Sequence, residues 1–262
     1  MVSPIFKQLR LAEAEDSIEL LRKYKDSGDL LEIGAGTGWQ SRAFSDAGYR
    51  VEALDLPAHS EISNHARSRE WPIRDYDGAH LPFADRSFDV IYSSNVLEHV
   101  VELETLMNEM KRVLRPGGIA FHLVPNSAWR LLSLATYYPA QAIDGLRWLA
   151  RKSNARTKGD FGEETASKSQ SKLIDKIARR LVPHAHGSVG TPITELSRFS
   201  KRSWHKHFSR SGWEVLYHGH NGIIASGDYV LGALLPLSQR KRLGGLTGGI
   251  AHVFVVRPVA KA

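Results

Sequence analysis

No cysteine occurs among the 262 residues. Its absence removes disulfides, thiolate nucleophiles and cysteine metal ligands together, and it suits a reducing compartment, so a cytoplasmic location is expected. Long apolar runs are missing as well. Nothing reaches the roughly 18–20 apolar residues of a spanning helix. Met1 to Arg10 is too short and too polar for an export signal. No period of about 20–50 residues repeats, which excludes solenoids and propellers. Acids are fewer than bases, 28 Asp and Glu against 35 Lys and Arg, leaving a formal charge of +7. With 42% hydrophobic residues the chain can bury a large core, and residues 1–262 are expected to form one elaborated enzyme domain.

The most informative stretch is Leu30 to Trp39, LLEIGAGTGW. Leu30, Leu31 and Ile33 run into Gly34, Gly36 and Gly38, and a helix-compatible segment follows up to Gly48. Strand, tight glycine turn and helix make the opening βα unit of a doubly wound α/β sheet. Such a turn brings a ligand against backbone N–H groups at a helix N-terminus, where the dipole favours a carboxylate or phosphate. The dinucleotide fingerprint wants glycine or alanine at position 39, and this chain has Trp39, which argues against a nicotinamide-dependent oxidoreductase or sugar epimerase. Glu32, two residues before the first glycine, would repel a nucleotide phosphate and attract an ammonium group. A second strand, Arg50 to Asp55, ends in an acid placed to accept both ribose hydroxyls of a nucleoside. Asp55 could equally cap a turn.

Further on stand Asp77-Gly-Ala-His-Leu-Pro-Phe83, Ser87-Phe-Asp-Val-Ile-Tyr92 and Asn95-Val-Leu-Glu-His-Val100, followed by MNEMKRVLRPGG at 107–118 and a fifth strand at Ile119 to Val124. Together with E-I-G-A-G-T-G, this series resembles the motifs of class I S-adenosylmethionine-dependent methyltransferases, in particular the small-molecule group that includes the ubiquinone-pathway enzymes. The resemblance covers roughly Asp29 to Asn126. It implies a mostly parallel, seven-stranded, Rossmann-like sheet, with S-adenosylmethionine held by Glu32, Gly34, Ala35, Gly36, Thr37, Gly38, Asp55, Leu56, Asp77, Gly78 and Asn95. In that group the acid at Asp77 receives the adenine amino group. Gly78 stands where alanine is usual. A non-catalytic, cofactor-binding partner protein is the remaining alternative.

Beyond Asn126 the character changes. Phe6 to Lys25 reads as an amphipathic helix over the cofactor edge, and residues 1–126 form the cofactor half. Residues 127–199 form an acceptor-side helical insertion or lid between strands five and six, with a polar mobile loop at Ser153 to Lys172 and a short basic helix at Leu173 to Val182. Residues 200–262 supply a helix at Ser200 to Ser211 and two last strands at Trp213 to His218 and Ala251 to Arg257. Residues 147–210 carry 15 Lys and Arg against 5 Asp and Glu, so the positive charge sits in the insertion. That charge would suit a phosphorylated glycan or glycolipid precursor. It would also suit a peripheral membrane contact through 127–150 and 229–242, with Trp129, Tyr137, Tyr138 and Trp148 at headgroup level and Arg240, Lys241 and Arg242 beside a second apolar run. A solvated face is the plain alternative. The apolar run at 131–143 reads first as a buried helical lid. Ser93 to Val96 lacks the N/D-P-P-Y/F block of nucleic-acid amino methyltransferases, so a nucleic-acid partner is not expected.

For proton transfer the segment Pro183-His-Ala-His-Gly187, with Glu195 and the Phe199–Trp204 run, resembles a pattern in methyltransferases of bacterial polysaccharide gene clusters. His186 is the expected base of an O-methylation, Glu195 its orienting partner that raises its basicity, and His99 a further candidate. A loop stapled by satisfied histidines is the alternative for His186, and a structural role is the alternative for His99. His184 and His186 have no third ligand at a recognised spacing, so no metal is expected.

Overall fold

The computed structural model describes residues 4–57, 69–156, 186–187, 190–224 and 235–259. Helix α1 (Pro4–Leu21) leads to β1 (Gly28–Ile33), α2 (Trp39–Asp46) and β2 (Tyr49–Asp55). Then come β3 (Arg74–Asp75), β4 (Phe88–Ser94), a single 3₁₀ turn at Leu97–His99, α3 (Leu103–Val113) and β5 (Leu114–Pro125). Helices α4 (Ser127–Arg156), α5 (Thr194–Arg198) and α6 (Lys201–Arg210) precede β6 (Trp213–His220), α7 (Leu237–Thr247) and β7 (Ala251–Pro258).

The seven strands form one sheet in the order β3-β2-β1-β4-β5-β7-β6. Pairs from β3 to β5 are parallel, while β7 runs antiparallel to both β5 and β6. The doubly wound sheet with a helical insertion between strands five and six is thus present. Continuous apolar runs fit strands covered on both faces. Alternate residues of β1 feed opposite cores. Leu31 and Ile33 join Met107, Met110, Trp204 and Phe208 on one face. Leu30 joins Ile18, Leu21, Phe44 and Tyr92 on the other.

Strand order reverses at β1/β4, and ligands of such sheets bind beyond the strand carboxyl ends at that point. Arg10 of α1 clamps that edge by donating to Glu13 Oε2 at 2.7 Å, to Ser94 Oγ at 3.0 Å and to the Ser94 carbonyl at 3.1 Å. Asn126 caps α4 by accepting from Trp129 N–H at 2.7 Å.

Several expectations change. Ser153 to Arg156 continue α4 instead of opening a loop, and α4 runs through Pro139. The rest of that loop, the basic helix at 173–182, and His184 lie outside the described residues. The run at 131–143 is helical but not a buried lid: Leu131 is 62% and Tyr138 56% exposed. Arg240 is fully buried, donating to the Leu235 and Ile224 carbonyls at 2.8 and 2.9 Å, and Lys241 pairs with Asp16 at 2.9 Å. Those two bases brace α7 rather than face a membrane. No helix among the described residues is long and apolar enough to cross one.

Candidate functional site

A cavity of about 950 Å³ opens over the carboxyl ends of β1, β2 and β4. It lies near the upper end of the range usual for small-molecule sites. Its floor is the glycine turn. Gly34 and Ala35 donate their N–H groups to the Leu54 carbonyl at 2.8 and 3.0 Å, and Gly36 N–H donates to Asp55 Oδ2 at 2.5 Å. Gly36 has φ +60, and a Cβ there would meet nothing within 4 Å, so a side chain would project into open space above the turn. The residue at this position keeps that space free for a ligand. Gly38 caps α2, whose first residue Trp39 is buried and packs edge-on against Phe6 at 6.4 Å.

Asp55 is held from two sides, since its Oδ1 also accepts from Leu56 N–H at 2.7 Å. Asp77 Oδ1 accepts from Ala79 and His80 N–H at 2.8 and 2.7 Å, and Oδ2 pairs with His80 Nδ1 at 2.7 Å. The backbone bonds, then the His80 ring, pull its pKa down to about 2. The carboxylate is therefore ionised, and Oδ2 is the atom it shares with His80. Ala35, Thr37, Leu56, Gly78 and Asn95 line the cavity too. Asn95 sits at φ +56 where β4 ends.

Glu32 does not line the cavity. It is 2% exposed, hydrogen-bonded by the Ser41 hydroxyl beneath the turn, and burial raises its pKa to about 7. Its influence on a bound ligand passes through the turn, not through contact.

His99, Val100, Trp129 and His186 also line the cavity. The His186 ring packs edge-on against Trp129 at 4.5 Å and His99 at 4.6 Å. Trp129 is thus part of this wall, also 6.2 Å from Phe199, and not a headgroup anchor. Glu195 does not orient the imidazole as expected. Its Oε1 accepts from the backbone N–H of His186 and Gly187, both at 2.7 Å, while Oε2 meets Arg130 Nε at 2.9 Å. This fully buried ion pair fixes the chain at 186–187 and so presents the ring. Gly187 permits it, because a Cβ there would lie 2.7 Å from the Glu98 carbonyl oxygen.

The acid that faces the imidazoles is Glu98. Its Oε1 lies 3.8 Å from both His99 Nε2 and His186 Nε2. Its side chain is fully buried, and neither oxygen finds a hydrogen bond to another described residue. Burial raises its pKa to about 8. Burial, then the neighbouring His99 and Arg130, lowers His186 to about 4, the opposite of the raised basicity expected. Glu98 stands in the Leu97-Glu98-His99 run, but the chain at 186–187 that covers it comes from 88 residues further on, and sequence spacing gives no sign of that. Arg10 was also missed: it lines the cavity near the turn, yet its helix pattern shows only the apolar positions.

A seven-stranded sheet with one reversed strand, a glycine turn at its switch point and an acid closing β2 define a class of nucleoside-binding α/β domain. Residues 31–122 match a family model described as a methyltransferase domain. The chain is similar to an uncharacterized methyltransferase of Mycobacteroides abscessus, 34% identical over 145 residues, 51% of this chain and 54% of that one. The chain spans about half the length of the curated relatives it matches. In fold it resembles the chain bound to the Trm112 methyltransferase activator of Haloferax volcanii, with TM-score 0.55, 15% identity, and coverage of 97% of this chain and 92% of that one. It also resembles a SAM-dependent methyltransferase from Aquifex aeolicus, with TM-score 0.50, 12% identity, and coverage of 96% and 93%. Residues 31–122 thus match a methyltransferase domain, and the fold is that of an S-adenosylmethionine-dependent methyltransferase.

Proposed function

We propose that the protein transfers a methyl group from S-adenosylmethionine to a hydroxyl of a sugar, glycan or glycolipid precursor. The observation that carries this reading is a single cavity lined by both the glycine turn with Asp55 and the aromatic–imidazole group of His99, Trp129 and His186. S-adenosylmethionine supplies an electrophilic methyl on a sulfonium sulfur. The open space above Gly36 suits its amino-acid tail, and Asp55 and Asp77, both lining the cavity, suit its ribose and adenine. Arg10, beside the turn, suits the tail carboxylate.

The wall must hold the acceptor oxygen about 3–3.5 Å from the methyl carbon and remove its proton. Trp129 offers an apolar ring face to a sugar, and His186 takes the hydroxyl proton on its cavity side. The imidazole is too weak a base to hold that proton at neutral pH. Glu98, behind it and close to a neutral pKa, is the better-matched sink, receiving a proton from Nε2 once ionised. Glu195 and Arg130 position the ring. The exposed Leu131 and Tyr138, on the same helix as Trp129, support an acceptor presented at a lipid surface.

The test is incubation with S-adenosylmethionine and a panel of glycoside and glycolipid acceptors, read by mass spectrometry. A gain of one CH₂ on a sugar hydroxyl is the expected result. His186→Ala should slow it by roughly 10²–10⁴ with donor affinity unchanged. Methylation of nitrogen or carbon acceptors alone, or full rate in the variant, would overturn the reading.

A further inference from the structure

Three histidines that the cavity does not use converge at the far edge of the sheet. His218 and His220 are alternate residues of β6, so their side chains share a face, and His220 is paired directly opposite His252 of β7. His218 Nε2 lies 3.1 Å from His252 Nδ1. The ring centroids are 5.0 Å apart for His218–His252 and 5.3 Å apart for both His218–His220 and His220–His252. One ring nitrogen from each lies within 4.8 Å of the others. None of the three lines the cavity.

We infer that His218, His220 and His252 form a binding site for a divalent transition metal of the zinc class. Three features support it. First, His252 Nε2 lies 3.2 Å from the Phe199 carbonyl oxygen. Donation to that oxygen leaves the Nδ1 lone pair pointing at His218, the arrangement by which a backbone carbonyl fixes the tautomer of a metal-bound histidine. Second, nitrogens bound to one zinc at about 2.0–2.1 Å lie a little over 3 Å apart in a tetrahedron, and the His218–His252 pair already stands at that separation. Third, His220 is exposed, so its ring can turn to close the third position and leave a fourth to water.

The donor set selects the ion. Three imidazoles without a carboxylate suit zinc, nickel or copper and give magnesium or calcium nothing hard to bind. Two other groups face the cluster from α6. The His205 ring lies 5.5 Å from that of His218, and Lys201 places a positive charge near all three rings. The lysine is exposed and long enough to swing into solvent, so it weakens the site without blocking it. A metal here would cross-link edge strand β6 to β7.

The experiment uses the untagged full chain after dialysis against chelator, titrated with Co²⁺ and then Zn²⁺. One equivalent of cobalt with the intense visible bands of a tetrahedral site, displaced by zinc, is the expected result, together with a zinc-dependent rise in unfolding temperature. His220→Ala, at an exposed position, should weaken binding by about 10–100-fold, and His218→Ala/His220→Ala should abolish it. Both variants should still bind S-adenosylmethionine as the parent does. Glu98, His99 and His186 also bring ligand atoms within 4.8 Å of one another, so His186→Ala is run in parallel. Absence of one-equivalent binding overturns the inference. So does a cobalt spectrum that survives in the double variant or disappears in His186→Ala.

Discussion

Glu98→Gln is expected to lower turnover by roughly 10²–10⁴ and, at the same time, to stabilise the fold above neutral pH. Both effects come from one buried carboxyl. In the folded chain its pKa is raised from 4.5 to about 8, chiefly by burial. The folded state therefore holds this proton over a range in which the unfolded chain releases it. Its contribution is fully present below about pH 4.5 and is lost as pH rises through about 8. Glutamine imitates the protonated form. Parent and variant should have the same unfolding free energy below about pH 4, and the variant should gain on the order of a few kcal/mol at pH 9. Activity should run the other way. The parent rate should rise with pH toward a plateau above about 8 as Glu98 ionises, and the variant should lose that rise. Chemical denaturation and steady-state rates at matched pH values decide it. A variant that is both inactive and less stable at pH 9 would show Glu98 to be a packing residue only.

The second large effect belongs to Asp55. Replacing it with alanine removes the acceptor for the Gly36 and Leu56 N–H groups, so the turn loses its shape along with its ribose partner. Donor affinity should fall by about 1–3 kcal/mol, which is about 5–150-fold. Asp55→Asn keeps one acceptor oxygen and should fall between alanine and the parent. Calorimetric titration of S-adenosylmethionine gives the three values directly. Equal affinities across the series would remove Asp55 from the cofactor site.

These expectations show what the residues alone could reveal. The sheet was legible because its strands are apolar runs bounded by turn residues, and because strand, glycine turn and helix occur within one short stretch. The glycine turn beside the cavity was legible for the same reason: Gly34 to Gly38, Asp55 and Asp77 occupy motifs whose spacing is set by local geometry. The acceptor end was only half legible. His186 and Glu195 were picked out, but their relation was not, because a carboxylate can serve a neighbour through its backbone N–H as well as through its ring. Glu98 looked like an ordinary acid beside His99. Its burial depends on chain arriving from 88 residues further on, with Trp129 and Arg130 at the start of α4 completing the wall. Arg240 likewise read as one of a basic surface cluster, and only packing of α7 against 224 and 235 turns it inward. Cross-strand neighbours such as His220 and His252 leave no spacing signature at all.

The most direct measurement is a calorimetric titration of the full chain with S-adenosylmethionine, alongside a nicotinamide dinucleotide. The account predicts saturable one-to-one binding of S-adenosylmethionine, lost when Gly36→Val fills the space above the turn, and no heat from the dinucleotide. Binding of the dinucleotide in place of S-adenosylmethionine, or binding that Gly36→Val leaves intact, would contradict it.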